Sequence, residues 1–296
     1  MRCNFCMIKK IAVFGATGAV GLPVTKALAD AGYQVSVLVR DADKAKTILP
    51  ENVQIVEGNI TYHHDLKRFL TGMDAVYCSL NVSPNEDIED YHIETDGLRE
   101  IINASLECSV RRFIYLSSIL QNYQHENDFD WWVFDVKNEA VNYVRDSGMP
   151  YTIFCPSIFM DRFVAQYKHG KTLQIIGESR FPFYFISVAD YARMVVNSIK
   201  ALGNEDREYN LQGLDCYSTK EAAQLFVKNY SKEKLRVKIG ALSWVKFLGV
   251  FDKRQRYKAK YAEALNNYSE IFTGDMAWDE LGKPSITFAE FAKTTN

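Results

Sequence analysis

The chain has 296 residues, 47% of them hydrophobic, and a formal net charge of -2. That length and apolar content exclude a disordered or fibrous chain and suit one large α/β domain with a smaller one appended. The near-neutral balance gives no electrostatic basis for nucleic acid or an anionic membrane as the main partner, and no apolar run approaches the ~18 residues of a membrane helix.

Taken in order, residues 11–14 form a short apolar run that meets the turn GATGAVG, with Gly15, Gly18 and Gly21. A helix-compatible segment follows, closed by Gly32, and then a β-rich run at 35–39. Residues 41–49 have helical composition and stop at Pro50; 53–56 is β-rich, and 65–70 reads as a short helix. A fourth strand is predicted at 74–80, a long helix at 88–106, a fifth strand at 112–116 and a helix at 133–147 after the polar, aromatic loop 121–132. Residues 150–154 and 208–211 supply a sixth and a seventh strand, with a helix at 188–201 between them. Strands alternating with helices at this spacing predict a Rossmann-type, doubly wound parallel sheet of about seven strands. The expected division is a main domain of 7–155 plus about 186–212, and a smaller substrate-covering domain of about 156–185 plus 213–296, whose aromatic loading includes Trp244, Phe247 and Trp278.

A strand, a glycine turn and a helix in succession suggest a dinucleotide site. Glycine lets the backbone take positive φ and approach a ligand closely, and the first free N–H groups of the helix attract a phosphate. In a parallel sheet the ligand lies beyond the carboxyl ends of the strands. The expected cofactor residues are therefore Gly15, Thr17, Gly18, Ala19, Val20 and Gly21, then Arg40, Asn59, Ile60, Leu80, Asn81, Pro156 and Ile158. Arg40 stands nineteen positions after Gly21, where an NAD-specific fold presents an acid to the ribose. An arginine there holds a 2′-phosphate, so NADP is expected over NAD, with NAD still open; Asp41 beside it either opposes that phosphate or turns away into a helix start.

GATGAVG resembles the TGxxGxxG motif of the short-chain dehydrogenase/reductase superfamily, in its atypical, NmrA-like and isoflavone-reductase-like branch. The resemblance implies that Lys137 matches the lysine of the superfamily's Tyr-x-x-x-Lys motif, with Val133 standing where the tyrosine belongs. Lys137 is then either a general acid or base, as in isoflavone-reductase-like relatives, or a ligand of the nicotinamide ribose. Ser118 matches the serine or threonine that orients a substrate carbonyl; its other reading is a turn former or helix cap. Asp190, in FISVADYA, is expected as a helix N-cap, and Asp161 and Arg162 as cleft residues. Tyr123 and the Trp131-Trp132 pair lie on a loop expected to overhang the nicotinamide, as a wall, a displaced proton donor or simple packing.

Histidines show no ligand spacing, so no metal is expected. Cys78, Cys108 and Cys155 sit in or beside apolar runs as free thiols, and Cys3 and Cys6 make a C-x-x-C pair with nothing to complete a zinc or redox site. Without the apolar core of a secretory signal at its start, the chain is expected to be cytoplasmic, a monomer or a homodimer. Three functions are in view: an NAD(P)H-dependent reductase of a small carbonyl, quinone or conjugated compound; an NAD(P)-sensing regulator without turnover; and a sugar-nucleotide epimerase or dehydratase, which the absent tyrosine weakens.

Overall fold

The computed structural model describes residues 7–201 and 203–295, so the Cys3 and Cys6 pair lies outside the described residues. The strands are β1 (Lys10–Phe14), β2 (Gln34–Val39), β3 (Gln54–Glu57), β4 (Ala75–Cys78), β5 (Arg112–Leu116), β6 (Tyr151–Pro156), β7 (Lys168–His169), β8 (Thr172–Ile176), β9 (Arg207–Leu211) and β10 (Arg236–Gly240). The helices are α1 (Gly21–Asp30), α2 (Ala42–Lys46), α3 (His63–Leu70), α4 (Leu98–Glu107), α5 (Trp132–Arg145), α6 (Met160–Tyr167), α7 (Val188–Ala201), α8 (Thr219–Asn229), α9 (Leu242–Leu248), α10 (Lys253–Asn267), α11 (Asp275–Leu281) and α12 (Phe288–Thr294). Seven strands form one parallel sheet in the order β3-β2-β1-β4-β5-β6-β9, the doubly wound arrangement expected from the alternation.

Side chains alternate across β1, and both faces are covered. Val13, in register with Val37 and Tyr77, belongs to the core under α1 and α7, while Ala12 and Phe14 join Phe69, Leu98 and Ile101 under α3 and α4. The order also reverses beside β1, because β2 and β4 flank it, and this opens a crevice at the carboxyl end of the sheet.

Two features depart from the expectations. The helix predicted over 88–106 begins only at Ile93, as a π-helical turn running into α4. Residues before it form a loop pinned by side chains: Glu86 accepts from the Ser83 amide, Asp90 from the Asp87 amide and Asp96 from the His92 amide, while the His92 ring bonds Glu86. Polar side chains that capture local amides compete with helix hydrogen bonds. The chain after β6 also contains a small sheet that the sequence pattern did not signal, in which β8 pairs parallel with β10 and antiparallel with β7. Its strands are short, and no residue of β10 is buried, so it lacks the apolar run that marks the strands of the main sheet.

Asp190 is not an N-cap. It lies inside α7, 2% exposed, and accepts from Ser285 N and Oγ, Ile286 N and Arg193 Nη2. Ser187 caps the helix instead, its Oγ accepting from Asp190 N at 3.0 Å, and the Asp161 carboxylate accepts from Val188 N at 2.9 Å. Burial alone would raise the Asp190 carboxyl, but the Ser285 amide, Arg193 and the Ile286 amide outweigh it and hold the group below its usual value. A depressed folded value contributes stability above the unfolded value of ~3.9, and that stability disappears as pH falls through the folded value. Asp190→Asn is expected to cost about 2–4 kcal/mol at neutral pH and to blunt the loss of stability under acid. Urea titrations at pH 7 and in the acid range check this; a variant with an unchanged midpoint would show the residue to be idle.

Candidate active site

The first turn explains its glycines one by one. Gly15 has φ +82°, and a Cβ there would stand 2.5 Å from the Ser79 carbonyl oxygen; a Cβ on Gly21 would stand 2.1 Å from the Gly15 carbonyl oxygen. These two residues are glycine because β1, β4 and α1 meet too closely for a side chain. Gly18 is less confined, with only the Gly15 oxygen nearby at 3.1 Å. Its own N–H is spent on that oxygen, and Leu22 N bonds the Gly18 carbonyl. Among the described residues the amides of Ala19, Val20 and Gly21 find no acceptor, and α1 has neither a side-chain cap nor an acid in its first turn. All three residues lie on the wall of a cleft of about 850 Å³ that runs along the carboxyl ends of the strands. Uncapped amides at a helix start, beside backbone that a side chain would obstruct, fit a diphosphate.

On the wall of the same cleft α5 carries Lys137. Its Nζ donates to Asn81 Oδ1 at 2.8 Å and to Glu94 Oε1 at 2.7 Å. Glu94 is fully buried; it also accepts from the Tyr115 hydroxyl at 3.1 Å and, through Oε2, from the Val82 amide at 3.0 Å. An ammonium has three N–H bonds, so one remains for a ligand after Asn81 and Glu94 are satisfied. Burial, reinforced by the Glu94 charge, pushes the Tyr115 phenol far above its ordinary value, so it stays a neutral donor. Tyr257 of α10 also lines the cleft, packed edge-on against Trp131 at 4.9 Å and hydrogen-bonded to Asn81; burial raises its phenol as well.

Ser118 sits on the same cleft wall, and its Oγ accepts from Leu120 N at 3.3 Å, which is the turn-capping contact. That bond uses a lone pair and leaves the hydroxyl hydrogen for the cleft. Leu80, Asn81, Pro156 and Ile158 also line it, as does Arg162. Gly15, Thr17, Arg40, Asn59 and Ile60 are not on this wall. Arg40 is exposed at the end of β2, and the Asp41 carboxylate is turned away into α2, where it accepts from Lys44 N at 2.9 Å. Asn59 spends its side-chain oxygen on Thr61 N and its amide on Asp65. Tyr123 is packed against Phe129 and Tyr268, 2% exposed, so of its three readings packing is the observed one. Trp131 lines the cleft, whereas Trp132 stacks on His92 at 4.8 Å.

Sequence reasoning missed Glu94, Tyr115 and Tyr257. Glu94 stands four and seven residues before Leu98 and Ile101, both fully buried, so it continues the apolar stripe of the following helix. A carboxylate in phase with a buried stripe was the available signal.

A model of the NmrA-like family matches residues 7–283. A photosystem II assembly factor of Guillardia theta is 27% identical over 276 residues, spanning 90% of this chain and 85% of that protein. The (4-alkanoyl-5-oxo-2,5-dihydrofuran-3-yl)methyl phosphate reductase of Streptomyces griseus is 30% identical over 220 residues, 73% of this chain and 72% of that one. Among solved structures, the triphenylmethane reductase of Citrobacter sp. complexed with NADP(H) has a TM-score of 0.77 at 17% identity, covering 97% of this chain and 100% of that one. The NADPH-dependent quinone oxidoreductase of Escherichia coli complexed with NADPH has a TM-score of 0.71 at 19% identity, covering 95% and 98%. Those two likenesses are of fold; with the family match over nearly the whole length, the chain belongs to the NmrA-like family.

Proposed function

We propose that this chain is an NADP(H)-dependent reductase of small carbonyl, quinone or otherwise conjugated compounds. The observation that carries the reading is one cleft lined both by the free amides of Ala19, Val20 and Gly21 and by the Lys137 ammonium with an unspent N–H. A nicotinamide dinucleotide, when bound, supplies the hydride. The amides hold its diphosphate, and Arg40, at the end of β2, takes the 2′-phosphate. Leu80, Asn81, Pro156 and Ile158 wall the remainder of the cleft. Lys137 delivers a proton to the oxygen of the reduced acceptor, and the Ser118 hydroxyl orients that oxygen. Two relatives with reductase names support this reading, the phosphate ester reductase above and an NAD(P)H azoreductase of Xenophilus azovorans that is 25% identical over 297 residues.

A second reading, a dinucleotide-binding protein without turnover, is favoured by Val133, which is fully buried and leaves no phenol at the tyrosine position, and by the assembly factors among the relatives. Titration with NADPH and NADH, followed by assays of coenzyme oxidation across a quinone, aldehyde and enone panel, decides between them. Oxidation with at least one acceptor is expected; tight binding with none leaves the second reading standing. Arg40→Ala is expected to weaken NADPH about tenfold to a hundredfold more than NADH, the loss of one or two charge-assisted bonds. Equal losses for the two coenzymes would remove the 2′-phosphate assignment.

A further inference from the structure

The wall of the cleft carries charge of one sign. Besides Lys137 it contains Arg162 from α6 and Arg254 and Lys258 from α10, and among the described residues no aspartate or glutamate. Arg162, Arg254 and Lys258 are exposed, and none of them is in an ion pair among the described residues. Arg254 donates through Nε to Asn85 Oδ1 at 2.6 Å, which leaves its terminal nitrogens uncommitted. Pairing is available in this neighbourhood: Lys253 meets Asp87 at 2.5 Å, and Lys246 meets Glu263 at 2.6 Å. Of the four cations on the cleft wall, Lys137 is paired with Glu94, and Arg162, Arg254 and Lys258 are left without a carboxylate among the described residues.

Helical spacing brings these groups together. Arg254, Tyr257, Lys258 and Tyr261 stand at i, i+3, i+4 and i+7 of α10, on the face that borders the cleft. Tyr257 packs against Trp131, so flat apolar side chains lie beside the cations. Like charges grouped on one wall of a crevice repel one another and raise the local potential, and an anion entering the crevice relieves both. The turn at Ala19 to Gly21 offers the cleft backbone amides.

We propose that the hydride acceptor is an anion: a flat conjugated compound bearing a sulfonate, carboxylate or phosphate, which Arg162, Arg254 and Lys258 hold while its ring system lies against Trp131 and Tyr257. The inference rests on the reductase reading for the identity of the ligand as an acceptor, and on the wall of the cleft for its charge.

The test is equilibrium binding of anthraquinone-2-sulfonate and of neutral 2-(hydroxymethyl)anthraquinone to the full chain, with and without NADPH. At low salt the sulfonate is expected to bind at least about tenfold more tightly, and the preference is expected to shrink towards unity near 1 M salt, as for charges near a surface. Arg254→Ala combined with Lys258→Ala should erase the preference while the affinities for NADPH and for the neutral quinone stay as they were. Lys258→Glu, a single change at an exposed position, should reverse the preference by itself. Equal binding of the two probes, no binding of either, or a preference that survives the double variant overturns the proposal. So does an NADPH affinity that falls in step with the sulfonate's, because the cations would then serve the coenzyme. A sulfonate preference with no NADPH oxidation sinks the reductase reading and leaves the anion site in place.

Discussion

Lys137→Met is expected to lower turnover by about 10²–10⁴-fold, the range for removal of a positioned acid or base, while NADPH still binds. Methionine keeps the length and apolar stem of the side chain and deletes only the ammonium. The two readings of this lysine then separate cleanly. A proton donor acts after the coenzyme is seated, so its loss appears in kcat at saturating NADPH, with the dissociation constant of NADPH nearly unchanged. A ribose ligand acts through coenzyme affinity, so its loss appears in that constant, and saturating NADPH restores the rate. Nothing else in the cleft repeats the ammonium's situation. Ser118 is tied to the Leu120 amide, and Arg162, Arg254 and Lys258 are exposed, whereas the Lys137 side chain is 12% exposed and anchored at both Asn81 and Glu94. Full rate at saturating NADPH would remove Lys137 from the chemistry.

The sheet was legible because its physics is local. Apolar runs of four to six residues alternating with helical periods dictate parallel crossovers, and close contact at Gly15 and Gly21 tolerates no other residue, so the turn announces itself. Lys137 and Asn81 were legible by position, one from a motif and the other from lying just past a strand. The partner that unites them was not. Glu94 contacts Lys137 across 43 residues and Tyr115 across 21, and a single sequence gives no measure of such distances. The loop ahead of Ile93 hid it further, because the acidic residues of 86–96 look like a solvated helix face when they are in fact capturing backbone amides. Lys253, Arg254 and Lys258 of α10 read in the sequence only as a basic stretch, and all three are exposed. Their spacing alone does not show that a cleft faces Arg254 and Lys258 while Lys253 turns to Asp87.

Glu94→Ala is expected to destabilise the protein by about 3–5 kcal/mol, the cost of stranding one member of a buried ion pair, and to lower the melting temperature by on the order of 10 °C. All three partners of this carboxylate are donors: the Lys137 ammonium, the Tyr115 hydroxyl and the Val82 amide. Glutamine is therefore no substitute, since its NH₂ faces another donor, and Glu94→Gln should still cost about 1–3 kcal/mol. Glu94 does not reach the cleft wall itself, so its effect on rate passes through Lys137, and both variants should lose kcat with little change in NADPH affinity. The decisive measurement is the double variant. Glu94→Ala with Lys137→Met removes both charges, leaves neither stranded, and should be more stable than Glu94→Ala alone by at least about 1 kcal/mol. Strictly additive losses in thermal and urea unfolding would mean that the two groups do not depend on each other, and that the carboxylate holds only the loop through Val82.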